Sequence, residues 1–150
     1  MTDPNILSES DDYAFRFGGI ARLYGRRALS VFKVSHVAVI GIGGVGSWAA
    51  EALARSGVGT VTLFDLDDIC VSNINRQVHA LQNSVGQMKV DVMAERLRQI
   101  HPNIDVRACH TFVTPKNVGD LLGTEFEGYD IFDGVQKLQQ EKSTGENQYI

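Results

Sequence analysis

Apolar residues along this chain fall first into a helical rhythm, then into short continuous runs, and then give out. Between Tyr13 and Lys33 the spacing of Phe17, Ile20, Leu23, Tyr24, Ala28, Leu29 and Phe32 is that of amphipathic helices. Gly18-Gly19 and Gly25 divide this stretch into two short helices. Ahead of it, Met1–Asp12 is polar, carries Pro4 and reads as a frayed or flexible leader. His36–Ile40 is a continuous apolar run, which suits a strand buried on both faces. A helix-compatible run from Ser47 to Arg55 follows, ended by Ser56-Gly57, and Gly59–Asp65 is a second strand. Lys89 leads into a helix that reaches Ile100, with Val92, Met93, Leu97 and Ile100 as its core stripe and His101-Pro102-Asn103 as its stop. Ile104–Thr111 alternates apolar with polar residues and reads as a third strand, toward a sheet edge. Thr114-Pro115 is a cap followed by a first-turn proline, predicting a short helix to Leu122, and Tyr129–Asp133 is a fourth strand. From Gln136 to Ile150 the chain is almost wholly polar and cannot bury enough apolar surface to order itself, so a disordered or loosely helical tail is expected.

The order β-α-β-(long loop)-α-β-α-β, with right-handed crossovers, predicts an α/β fold: a Rossmann-like, doubly wound parallel sheet over residues 13–135, of which only the first half is built. The turn after the first strand carries its chemistry. Gly41, Gly43 and Gly46 fall on the G-x-G-x-x-G spacing, between a strand and a helix. In that setting one glycine makes the turn, one lets backbone approach a phosphate and one lets helix and strand pack closely. Free amides at the helix start then face the anion. Asp65 closes the second strand at the distance, roughly 20 residues, at which an acid hydrogen-bonds a ribose hydroxyl.

Composition narrows this little. The chain has 150 residues, 43% hydrophobic and 21% charged, with net charge -4. That is an ordinary soluble domain, not a general nucleic-acid binder. Arg16, Arg22, Arg26, Arg27 and Lys33 nevertheless cluster with no acid between Arg16 and Lys33. They read either as the solvated face of a helix or as a surface for phosphates of a nucleotide or RNA. Cys70 and Cys109 are unpatterned thiols, which points to a reducing compartment, and with no apolar run near ~18 residues the expected location is the cytoplasm.

The long connection after Asp65 is dense in side chains that bind. Gly41–Gly46, Asp65-x-Asp67, Ser72-Asn73-x-x-Arg76-Gln77 and Gly86-x-x-Lys89, in this order and spacing, resemble the ATP-binding half of the ubiquitin-activating-enzyme-like superfamily. Within it, Phe15–Gly25, Gly41–Leu53 and Asn75-Arg76-Gln77-x-His79-Ala80-Leu81 are similar to the branch of bacterial tRNA threonylcarbamoyladenosine dehydratases. The resemblance covers residues 13–133. It implies ATP and Mg²⁺ as cofactors, with Gly41, Gly43, Gly44, Gly46, Asp65, Asp67, Asn73, Arg76 and Lys89 holding the nucleotide. Asp65 would take the ribose, Asn73 and Arg76 the phosphates, and Lys89 the α-phosphate region; Arg76 and Lys89 are the implied catalytic pair. The implied reaction activates a carboxylate as its adenylate, on threonylcarbamoyladenosine of tRNA, followed by cyclisation with net loss of water. No side-chain nucleophile is needed, so neither cysteine has a catalytic part. The charge pattern agrees: attack at an α-phosphorus builds negative charge that Arg and Lys stabilise, whereas a nicotinamide site has no need of Asn73, Arg76 and Lys89 together.

The resemblance also fails in two places. The family's D-x-x-D after the fourth strand, whose second Asp binds Mg²⁺, has Asp133 here but Gln136 at the second position. An amide is a poor substitute for that carboxylate, so no metal ligand is assigned. This implies a truncated or frame-shifted chain that keeps the ATP-binding half with impaired catalysis. Gly19 stands where sulfur-carrier adenylyltransferases have an arginine that reaches the partner subunit's nucleotide, leaving Arg16 or Arg22 for that role in the homodimer the family implies. Adenylation of a ubiquitin-like sulfur-carrier protein, an inactive nucleotide-binding fragment and a nicotinamide-dependent oxidoreductase are the competing readings.

Overall fold

A computed structural model describes residues 9–123. The elements are α1 (Glu9–Arg16), α2 (Gly18–Tyr24), α3 (Arg26–Val34), β1 (His36–Ile40), α4 (Gly46–Arg55), β2 (Thr60–Asp65), α5 (Lys89–Ile100), β3 (Asp105–His110) and α6 (Val118–Leu122). The three strands are parallel in the order β1-β2-β3. Ile40 sits beside Phe64, and Asp65 beside His110.

Strand alternation sends side chains to both faces, and both are covered. On one face Val39, Val61, Leu63 and Val106 meet Ala50 and Ala54 of α4 and Val90, Met93, Ala94 and Leu97 of α5. On the other, Ala38, Ile40 and Phe64 meet Leu122, with Val118 and Leu121 of α6 packed against them. This double burial is why β1 and β2 read as unbroken apolar runs. Full burial of Met93 and Leu97 contributes about 2 kcal/mol each. Glu51 of α4 is buried yet charged. Burial alone would raise its carboxyl, but Arg96 and Arg55 both bond to it and hold it below the usual carboxylate range. The Arg96 contact also ties α4 to α5.

The N-terminal helices close the end of the sheet where the strands begin. The Tyr13 hydroxyl lies 2.6 Å from Gly57 O and 3.3 Å from Leu29 O, so one hydroxyl anchors the α4–β2 turn next to α3. Tyr13 and Phe17 pack on His101, with ring centroids 5.7 and 5.0 Å away. Burial pushes the His101 imidazole below its ordinary value, against a backbone bond at Val58.

Four boundaries differ from the sequence reading. The stretch from Tyr13 to Lys33 holds three helices, not two, because the chain breaks both ahead of Gly18 and at Gly25. Helix α1 begins at Glu9, inside the stretch read as a leader. Strand β3 is shorter by one residue at each end than Ile104–Thr111. Helix α6 begins at Val118, not at Thr114, because Asn117 Oδ1 accepts from Thr114 N at 2.7 Å and its Nδ2 donates to Phe112 O, which builds a separate turn first. The fourth strand at Tyr129–Asp133, Gln136 and the polar tail lie outside the described residues. Among the described residues no helix is long and apolar enough to cross a membrane.

Candidate nucleotide site

The glycine turn closes the C-terminal end of β1. Gly41 has φ of 85°, a left-handed conformation suited to glycine. A Cβ on Gly46 would stand 1.7 Å from Gly41 O, so α4 starts in contact with the strand that precedes it. No side chain caps the start of α4, so its first amides and the positive end of its dipole face the turn.

Asp65 fixes that turn. It is 5% exposed, and its Oδ2 accepts from Ile42 N at 2.6 Å while Oδ1 accepts from Asp67 N at 2.9 Å. Both oxygens therefore hold backbone, one bond reaching across from β2 to the glycine turn and the other shaping the exit from β2. Asp67, with its side chain 55% exposed, is the acid at the surface of the site, and its Oδ2 pairs with Lys89 Nζ at 3.1 Å.

The loop from Leu66 to Met88 is folded onto this end of the sheet. Two short 3₁₀ turns, Val71–Asn73 and Gln82–Ser84, and a bridge between Asp68 and Met88 give it shape. Two bonds fasten it to the start of α4: Trp48 Nε1 donates to Arg76 O at 2.9 Å, and Ser47 Oγ accepts from Val78 N at 3.4 Å. Arg76 is thereby laid across the glycine turn, where a Cβ on Gly44 would be 3.5 Å from its Cδ. Its Nη1 donates to Ser72 O and to Asn75 Oδ1. The Asn73 side chain is buried and accepts from Cys70 N at 2.9 Å, closing the first 3₁₀ turn.

Lys89 opens α5 and is buried. A buried cation at the positive end of a helix dipole is unfavourable unless an anion joins it. Beside it lies His79, 1% exposed, with neither ring nitrogen hydrogen-bonded among the described residues. Burial pushes the His79 imidazole down to about 4, the Lys89 charge adding to this and Asp65 opposing it. Gln77 Oε1 is likewise buried and unpaired. Residues 77 and 79 were read only as parts of a motif; two polar residues framing an apolar one, directly after Arg76, were the available signal.

The structure thus brings Gly41, Gly43, Gly44, Gly46, Asp65, Asp67, Asn73, Arg76 and Lys89 to one end of the sheet. Arg16 and Arg22 belong to the helices packed at the other end, and Arg16 is paired with Asp12 at 3.1 Å. Among the described residues, no group of three or more His, Cys, Asp or Glu side chains is placed to hold a metal ion. The arrangement sets the helix start and the Arg76 guanidinium side by side, with the Lys89 ammonium paired to the Asp67 carboxylate at the rim.

Known proteins share this sequence and fold. The tRNA threonylcarbamoyladenosine dehydratase of Escherichia coli is 56% identical over 131 residues, which are 87% of this chain and 48% of that protein. That of Haemophilus influenzae is 45% identical, over 92% of this chain and 52% of its own length. A crystal structure of the E. coli enzyme in complex with ATP superposes with a TM-score of 0.76 at 55% identity, covering 82% of this chain and 49% of that one. The chain spans about half the length of these relatives. The ThiF family profile matches residues 19–136, and the chain belongs to that family.

Proposed function

We propose that this chain carries the ATP-binding half of an adenylate-forming enzyme whose substrate is threonylcarbamoyladenosine in tRNA. The observation that carries the reading is Arg76 laid across Gly44 of the glycine turn, with Lys89 held by Asp67 just past the end of the neighbouring strand. A dinucleotide needs only the turn and the ribose acid, whereas a triphosphate gives both cations a partner. The relatives named as dehydratases match at higher identity than the molybdopterin-synthase adenylyltransferase of E. coli, which is 33% identical over 74% of this chain, so tRNA is favoured over a carrier protein.

Each residue has a distinct part. The amides from Gly43 to Gly46 and the start of α4 receive phosphate oxygens. Arg76 lies over them with Nε and Nη2 free of partners among the described residues, and forks onto the phosphates. Lys89 exchanges or shares Asp67 for the α-phosphate, where charge develops as a carboxylate attacks and pyrophosphate leaves. Asp65 is committed to backbone, so its contribution to the ribose is to hold the turn, while Asp67 presents the oxygen that meets a hydroxyl. Mg²⁺ travels with ATP in this reading, and no step depends on where it sits. A second copy supplies the N-terminal arginine, Arg16 or Arg22, because both lie at the far end of this chain's own sheet.

Calorimetry of the chain with Mg-ATP and with NAD tests the reading. ATP binding that falls roughly a hundredfold in Arg76→Ala and in Lys89→Ala supports it, a loss of about 2.7 kcal/mol for a charge-assisted contact. Tighter binding of NAD overturns it. Release of pyrophosphate with modified tRNA, set against a carrier protein, then decides the substrate.

A further inference from the structure

At the end of β3, one strand beyond Asp65, His110 and Asp91 form a pair to which the phosphate and ribose contacts give no role. Asp65 and His110 are neighbours in the parallel register, so their side chains leave the sheet on the same face. Asp91 stands in the first turn of α5. Both of its oxygens lie 2.9 Å from His110 Nε2. A carboxylate only accepts, so Nε2 bears the proton, and in the neutral ring Nδ1 is left as an acceptor. Nδ1 has no hydrogen bond among the described residues, and the side chain is 46% exposed at the edge of the site.

A nucleoside triphosphate is linear: phosphates, then ribose, then base. The phosphates belong at the turn after β1, and the ribose at Asp67 after β2. Adjacent strands are about 4.8 Å apart, close to the width of a ribose. The order β1-β2-β3 therefore carries the base one strand further, to the end of β3.

We propose that His110, oriented by Asp91, determines which base the site accepts. Its Nδ1 accepts a hydrogen bond from the exocyclic amine at position 6 of adenine. Guanine carries a carbonyl oxygen at that position, which sets acceptor against acceptor. Asp91 is the positioning residue: it fixes the tautomer and the ring plane. The inference rests on the ATP reading and deepens it, since the phosphate and ribose contacts do not distinguish one purine from another.

The test is calorimetry of the 150-residue chain with ATP, GTP and inosine triphosphate. ATP is expected to bind roughly tenfold or more tightly than the other two, as for one exposed-edge hydrogen bond exchanged for a repulsion. His110→Leu brings the ATP-to-GTP ratio near one, weakening ATP through the lost hydrogen bond and strengthening GTP through the relieved repulsion. His110→Gln keeps an acceptor and keeps the preference, and Asp91→Leu loses part of it. A pair that only joins β3 to α5 lowers Tm in these variants but leaves the ratio intact, which overturns the proposal. Equal binding of ATP and inosine triphosphate by the unaltered chain overturns it without any variant. In both cases the ATP reading stands. Binding of no nucleotide at all overturns both.

Discussion

Where β1, β2 and β3 begin, the chain closes over itself with aromatic rings; where they end, a polar loop covers it. Each end buries a histidine. His101, at the first, is packed edge-on by Phe17 and tilted against Tyr13, whose hydroxyl fastens the neighbouring turn. His79, at the second, sits beside a buried lysine, and among the described residues both of its ring nitrogens and Gln77 Oε1 lack a partner, against Nδ1 alone for His101. Burying polar groups without partners costs folding free energy, and Lys89 at a helix start is offset only by its pair with Asp67. The closed end offsets that cost through apolar burial and one well-placed hydroxyl. Apolar burial is thus concentrated away from the proposed site, which is left with buried polar groups unpaired among the described residues.

The contrast can be broken most severely at the glycine turn. Gly46→Ala puts a Cβ 1.7 Å from Gly41 O. It is expected to cost at least about 4 kcal/mol and to abolish ATP binding, read by thermal melting and calorimetry. Gly44→Ala, whose Cβ meets only Arg76 at 3.5 Å, keeps the fold. Equal melting temperatures for the two variants would show that α4 does not pack on the turn as described. Acid comes next. The folded His79 stays neutral down to about 4, while the unfolded ring takes a proton near 6.5. The unfolded state therefore binds more protons, and stability falls as pH drops through that window, by about 2 kcal/mol between pH 8 and pH 5. Urea midpoints measured across this range should flatten in His79→Leu; an unchanged slope would mean that His79 is not held neutral. The smallest effect belongs to the closed end. Tyr13→Phe removes the bond to Gly57 O and should cost about 1 kcal/mol while leaving ATP affinity unaltered. A fall in ATP affinity there would mean that the two ends are coupled.

The strands and the turn were legible because they obey local rules. A run buried on both faces has to be apolar throughout, and the close approach of α4 to β1 admits only glycine at position 46. The loop that carries the candidate site residues stood out through its length and polar spacing. Less legible were features that depend on distant partners. Helix α6 starts late because the Asn117 side chain captures Thr114 and Phe112, and a Thr-Pro pair cannot announce that competition. The two-helix expectation missed a third because the stretch from Glu9 is held through Tyr13 and Phe17, whose partners Gly57 and His101 lie far along the chain.

By itself the sequence determined the α/β class, the parallel order of elements and the glycine turn, since these follow from period and glycine geometry. Only the tertiary structure divided the labour between two neighbouring acids. Asp65 is turned inward because β2 brings its carboxylate within 2.6 Å of Ile42 N, while Asp67, two residues on, stays at the rim and meets Lys89. Only the tertiary structure placed His110 beside Asp65, and the N-terminal arginines at the opposite end of the sheet. Strand register and helix docking join residues that are remote in the chain, and no local pattern encodes those distances.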